Sequence, residues 1–189
     1  MRTRQILSKQ STTEVRERIR ALIADKPELV SKWFVDAEIV EDHLMRATVS
    51  LPELKVKFTI FADEPAGIGG HESAMPPFGY FLAGALMCEM AQYTWNAAEL
   101  RLTEHLSKLR LRMEGGFPLQ PLYGLDDRPG ASAIKELSVV TEIEGDVPAE
   151  QIAKLARLAA QRCPAHQSLT NGIPYRNSVE LNGEPLTSF

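Results

Sequence analysis

Residues 77–102 read PFGYFLAGALMCEMAQYTWNAAELRL, and this stretch decides the fold. Pro77 suits the first position of a helix, where its missing N–H has no partner to lose. The Ala/Leu-rich run from Phe78 to Leu102 predicts one long helix, roughly 37 Å at ~1.5 Å per residue. Its first half is apolar on every side, so burial all round is expected. A small domain rarely encloses such a helix alone, which points to a dimer that supplies the missing wall. Cys88 sits near the middle of this helix.

Upstream, the spacing changes to that of strands. Trp33, Val35, Ala37 and Ile39 alternate with mostly polar neighbours, and Glu41-Asp42-His43 reads as a turn. Ala47 and Val49 belong to a second strand, and Leu54, Val56, Phe58, Ile60 and Ala62 form the clearest period-two run. An antiparallel meander with one buried face follows. Asp63 to Pro77 is a Gly/Pro-rich connection. Before the strands, Ser11-Thr12-Thr13-Glu14 reads as a capping box. Val15, Ile19, Leu22 and Ile23 form a helical stripe that should pack on the domain, and Pro27 ends it.

Downstream, strands are expected over Lys108–Glu114 and Leu137–Glu144, with a loop from Gly115 to Ala133. Ala149–Arg162 is an amphipathic helix with Ile152, Leu155, Ala156 and Ala159 on one face. Cys163-Pro164 opens a further short helix, and Tyr175, Asn177, Val179 and Leu181 form a closing strand. Helices and antiparallel strands together place the chain in the α+β class.

The chain has 189 residues, 44% hydrophobic, with a formal net charge of −4. That suits one sizeable core and argues against several domains. The basic residues of Lys108-Leu109-Arg110-Leu111-Arg112 alternate with apolar ones, as in a strand with one wet face, so no nucleic-acid partner is expected. Met1 to Gln10 is polar and basic, without an apolar run, and Phe78 to Cys88 is far too short to span a bilayer. The expectation is a cytoplasmic protein with no membrane partner. Its two cysteines are then buried thiols or a redox pair, not a secreted disulfide scaffold.

Cys88 has Gly84, Ala85, Ala91 and Gln92 one turn away. Small neighbours let another group approach the sulfur, and Gln92 offers it a hydrogen bond. The same surroundings fit a small core residue with no chemistry. Cys163 precedes a proline, so it belongs at the N-cap of the next helix. There, unsatisfied N–H groups and the helix dipole should lower its pKa, and Arg162 would add to this if it pointed inward. An inert cap remains the alternative. Should the sulfurs meet, one thiolate can open a peroxide O–O bond and the other can condense with the resulting sulfenic acid.

In the order and spacing of these parts, from Trp33 onward, the chain resembles the OsmC/Ohr family of thiol peroxidases and their relatives. The matching pieces are Asp63-Glu64-Pro65, Gly69-Gly70, Pro77 with the helix carrying Cys88, and Arg162-Cys163-Pro164 before a final strand. The resemblance implies antiparallel sheets packed on two central helices in an interlocked homodimer, with sites at the subunit interface. It also implies a peroxidatic Cys88, a resolving Cys163 and an organic hydroperoxide substrate. Recycling would fall to a dithiol reductant, a lipoylated or thioredoxin-like protein. Residues 1–32 read as a helical addition to a single domain over 33–189.

Two departures stand out. The family glutamate lies nine or ten residues before the cysteine, where this chain has Phe78 and Gly79, and no arginine occurs between Phe61 and Met87. Glu72 or Glu89 would have to stand in for the carboxylate, and Arg46 is the nearest arginine on a strand. A thiol without a charge partner keeps a pKa nearer ~8.5 and reacts more slowly. Phe78, Tyr80, Phe81, Tyr93 and Trp95 are candidates to line a substrate pocket, although core packing explains them too.

Other motifs carry less. Gly67-Ile68-Gly69-Gly70 lacks the Lys-Ser/Thr of a phosphate loop. The histidines (His43, His71, His105, His166) show no ligand spacing, so no metal or other cofactor is expected. No Gly-x-Ser-x-Gly elbow is present for a hydrolase. His166, one turn after Cys163, reads as an exposed histidine that could also tune that thiol. The leading expectation is a Cys88/Cys163 hydroperoxide reductase. The alternatives are a relative that binds a hydrophobic small molecule in the aromatic pocket, and a structural dimer module with inert thiols.

Overall fold

The structure is a computed structural model that describes residues 9–188, with side chains from Glu14 onward. Helix α1 (Lys9–Ile23) leads to strands β1 (Phe34–Glu41), β2 (Leu44–Leu51) and β3 (Val56–Ala62), then to the long helix α2 (Pro77–Glu99). Strand β4 (Leu106–Gly115), a short helix α3 (Leu119–Leu122) and β5 (Leu137–Gly145) follow. Helices α4 (Ala149–Arg162) and α5 (Pro164–Asn171) precede a terminal hairpin, β6 (Ser178–Leu181) and β7 (Glu184–Ser188). The three sheets, β1-β2-β3, β4-β5 and β6-β7, are antiparallel throughout, so the architecture is α+β.

Helix α2 begins with Pro77 at its first turn and stops three residues short of the expected Leu102. Arg101 adopts a left-handed φ of 59°. The N–H of Leu102 then reaches back to the Ala97 carbonyl, and that of Arg101 to Ala98. This double closure satisfies the last carbonyls of the helix. The core lies where the second half of α2 meets α4 and the β4-β5 sheet. Tyr93, Ala97, Leu102, Leu106, Leu111, Leu155 and Ala159 are its buried members. Alanine on both helices allows close backbone approach and dense packing. The wet face of β4 is neutralised across the sheet, with Lys108 paired to Glu144 and Glu142, and Arg112 to Glu142. The basic alternation is thereby accounted for within the fold.

The meander forms as expected, but its apolar face is not buried. Register places Val35, Val49 and Phe58 in one row, Ala37, Ala47 and Ile60 in the next, and Ile39, Met45 and Ala62 in a third. Within the single chain, Val35 is 65% exposed, Ile39 72% and Phe58 59%. Helix α2 likewise leaves Phe81, Gly84, Met87 and Ala91 exposed along one stripe, so burial all round is not achieved by one chain.

Other expectations are corrected. Ser11 lies inside α1, which already runs from Lys9, so it is not the N-cap; the side chains of residues 9–13 lie outside the described residues. Ile19, Leu22 and Ile23 point outward. What docks α1 on α2 is Arg16, which donates to the Trp95 carbonyl at 2.6 Å and pairs with Glu99. The closing strand is a hairpin, turning at Asn182-Gly183 with positive φ at both residues, the backbone that a tight two-residue turn requires. Tyr175 and Asn177 precede it.

The connection into α2 is organised by one carboxylate. Asp63 is fully buried and accepts from the N–H groups of Glu64, His71 and Ser73, and from the Ser73 hydroxyl at 2.8 Å. The loop closes so tightly that a Cβ on Gly70 would lie 1.8 Å from the Glu64 carbonyl oxygen. Backbone and side-chain donation from Ser73 outweighs burial and holds the Asp63 carboxyl down to about 2. An unfolded aspartate titrates near ~3.9, so this contribution is complete above that value and is lost as the pH falls through about 2. Asp63→Asn should lower the Tm at pH 7 by roughly 5 °C. Thermal melts should show that deficit narrowing between pH 5 and pH 2.5; a constant deficit would refute the assignment.

Candidate functional site

Cys88 and Cys163, distant in sequence, come together. Cys88 is on α2, half-buried, one turn from Ala85 and Gln92; Cys163 is fully buried. Cys163 terminates α4 and caps α5, because Pro164 cannot continue the first helix without strain but opens the second. Its sulfur accepts the His166 backbone N–H at 3.4 Å and lies beside the Cys88 thiol, near enough for the two groups to perturb each other, both cysteines being free.

The cap geometry matches the expectation, yet the direction of its titration is reversed. Burial pushes the Cys163 thiol up; the N–H groups of His166 and Ala165 oppose this, and the adjoining Cys88 thiol raises it further. A sulfur sealed from water lacks the solvation that a thiolate needs, and two cap donors do not replace it. Arg162 contributes nothing here. Its guanidinium turns away to Asn96 and Glu99, donating to the latter at 2.7 Å. That bond, with help from Arg16, holds the Glu99 carboxyl below its usual range.

The remaining candidates separate. Glu89, the residue after Cys88, is buried, and its Oε2 lies 3.5 Å from His166 Nδ1. His166 is therefore drawn into the site and not exposed as expected. Glu72 is on the surface, where it accepts the Ala66 N–H. Arg46 is exposed and bound to Glu38 on the neighbouring strand. Among the described residues, the Gln92 side chain makes no bond to the thiol; its backbone carbonyl accepts from Asn96.

Of the aromatic candidates, Phe78 and Phe81 stack with centroids 6.0 Å apart, and Phe117 meets Phe78 edge-on at 4.8 Å. Phe81 lies two turns before Cys88 on nearly the same helical face. Tyr93 is a core residue bonded to Thr141, and Trp95 is half-buried. Phe117 was not among the candidates, and Asp63 was marked only within the Asp63-Glu64-Pro65 piece, not as the residue that organises the loop. An acid at a strand end followed by Gly and Ser is the signal for Asp63, whereas Phe117 had none beyond its apolar character.

A groove of about 380 Å³ is lined by Ala85, Glu89, Met113, Leu137, His166 and Leu169 among others, and neither cysteine lines it. Among the described residues, no three His, Cys, Asp or Glu side chains cluster to hold a metal, and no helix is long and apolar enough to cross a membrane.

The fold is similar to that of an OsmC-like protein from Mycoplasma pneumoniae, at TM-score 0.58 and 20% identity, covering 76% of this chain and 91% of that one. It is also similar to an organic hydroperoxide resistance protein, OsmC, from Legionella pneumophila, at TM-score 0.50 and 16% identity, covering 75% and 91%. No curated protein matches the chain in sequence. The family model of OsmC-like proteins matches residues 70–176, more than half the chain and the span that holds both cysteines. On that match, the chain belongs to the family of OsmC-like proteins.

Proposed function

We propose that this protein is a cysteine-dependent peroxidase that reduces organic hydroperoxides, with Cys88 as the attacking thiol and Cys163 as the resolving one. The carrying observation is the contact between a half-exposed thiol and a buried one. In the reaction, the Cys88 thiolate attacks the terminal peroxide oxygen, the O–O bond breaks, and the alkoxide leaves with a proton as the alcohol. Cys163 then attacks the sulfenic sulfur of Cys88 and water departs, leaving a disulfide. A dithiol, on a lipoylated or thioredoxin-like protein, returns both thiols by exchange, which suits the reducing cytoplasm. The uncovered rows on the meander and the stripe on α2 support a homodimer closing over them. Residues 1–32 act as an addition to the 33–189 domain, clasped through Arg16.

Reduced protein mixed with one equivalent of cumene hydroperoxide should lose two hydrogen atoms by intact mass and link Cys88 to Cys163 in a peptide map. Thiols unchanged after an hour would overturn the proposal. A second reading, a family member that binds a hydrophobic small molecule without turnover, is favoured by Phe78 and Gly79 standing where the family glutamate is expected and by the stacked rings there. It predicts ligand-induced thermal stabilisation that survives Cys88→Ser in a protein inert to peroxide.

A further inference from the structure

The Glu89–His166 contact joins the two helices at the turns that hold the sulfurs. Glu89 follows Cys88 on α2. The backbone N–H of His166 caps the Cys163 sulfur, and its ring nitrogen Nδ1 faces the Glu89 carboxylate at 3.5 Å. One residue thus touches the resolving sulfur through its backbone and is tied, through its side chain, to the neighbour of the attacking one. The Glu89 carboxylate is largely shielded from water, so its hold on a histidine donor is stronger than that of a surface pair.

We propose that Glu89 and His166 form a clasp that positions Cys163 on Cys88 and so sets the rate of disulfide closure, while leaving the first attack by Cys88 untouched. This extends the Cys88/Cys163 reading to the control of its second step. Closing a disulfide requires the incoming sulfur to line up with the S–X bond it breaks, and α5 is only eight residues long. With the clasp open, the first turn of α5 pivots on Pro164 and the Cys163 sulfur loses its alignment. Losing about 1 Å of register costs up to about a hundredfold in rate. The other charged groups lining that groove are Lys135 and Glu136, on the segment before β5.

The test separates the two steps without any peroxide. An aromatic disulfide reagent reacts with the Cys88 thiolate, releasing one thionitrobenzoate and leaving the other on Cys88. Cys163 then gives up its proton, attacks the Cys88 sulfur and expels the second thionitrobenzoate. Stopped-flow absorbance resolves the two releases. His166→Ala, which removes the clasp without touching Glu89, should keep the first release within about twofold and slow the second by roughly ten- to hundredfold. His166→Asn, which keeps a donor near the place of Nδ1, should restore most of the second rate. A second release at parental speed in His166→Ala, equal slowing of both releases, or no second release in the parent would each overturn the clasp. A parent that shows both releases yet ignores cumene hydroperoxide would sink the peroxidase reading and leave the clasp standing.

Discussion

Cys88→Ser should fold, bind whatever the parent binds, and lose hydroperoxide turnover by at least about a thousandfold. A serine hydroxyl at this place is un-ionised at neutral pH and is a poor nucleophile toward oxygen, so nothing remains to open the O–O bond. Cys163→Ser should behave differently. Cys88 still attacks once, but no thiol is present to condense with it, so the protein stalls as a sulfenic acid. Intact mass should show one added oxygen, and a dione trap should label Cys88 alone. Steady-state consumption, followed in a coupled dithiol assay, should drop to whatever exogenous thiol supports. The assignment of roles fails if Cys163→Ser loses the first turnover while Cys88→Ser retains it. Cys163 is the poorer first attacker on physical grounds, being sealed and held in its neutral form.

The second large effect concerns the meander. Parent protein should scatter light as twice the chain mass at micromolar concentration, and the double variant Ile39→Lys/Phe58→Lys should scatter as a monomer. These side chains lie in the two end rows of the uncovered face, 72% and 59% exposed in the single chain. Fully burying each is worth about 1.5–3 kcal/mol. Putting an ammonium there removes that gain and adds the penalty of desolvating a charge. A dissociation constant raised by about a thousandfold or more follows. Both residues are solvent-facing in the isolated chain, so the variant should retain its circular dichroism. A parent that is monomeric at all concentrations would refute the covering chain.

Much of the fold was legible because it depends on short-range rules. Pro77 and Cys163-Pro164 marked helix starts, apolar spacing over Ala149–Arg162 gave α4, and alternation gave β1 to β5. The terminal hairpin was missed although Asn182-Gly183 is a strong turn signal, because Pro185 interrupts the pattern of the second strand. The end of α2 was misplaced because Arg101 takes a left-handed conformation that usually calls for glycine. The candidate site was legible only in its cysteines. Which way Arg162 turns, and that His166 meets Glu89, depends on pairings across dozens of residues that no local pattern encodes. The direction of the Cys163 shift was misread for a related reason: the cap is a local feature, whereas burial is set by the whole fold.

The sheet of residues 34–62 also bears on how the protein is made. It is synthesised before α2 and α4, the helices that build the core. Neither α2 nor α4 covers its greasy rows afterwards. Under the proposed homodimer, nascent chains carry a sticky surface from early synthesis until pairing, and the yield of native protein should depend on how quickly one newborn chain meets another.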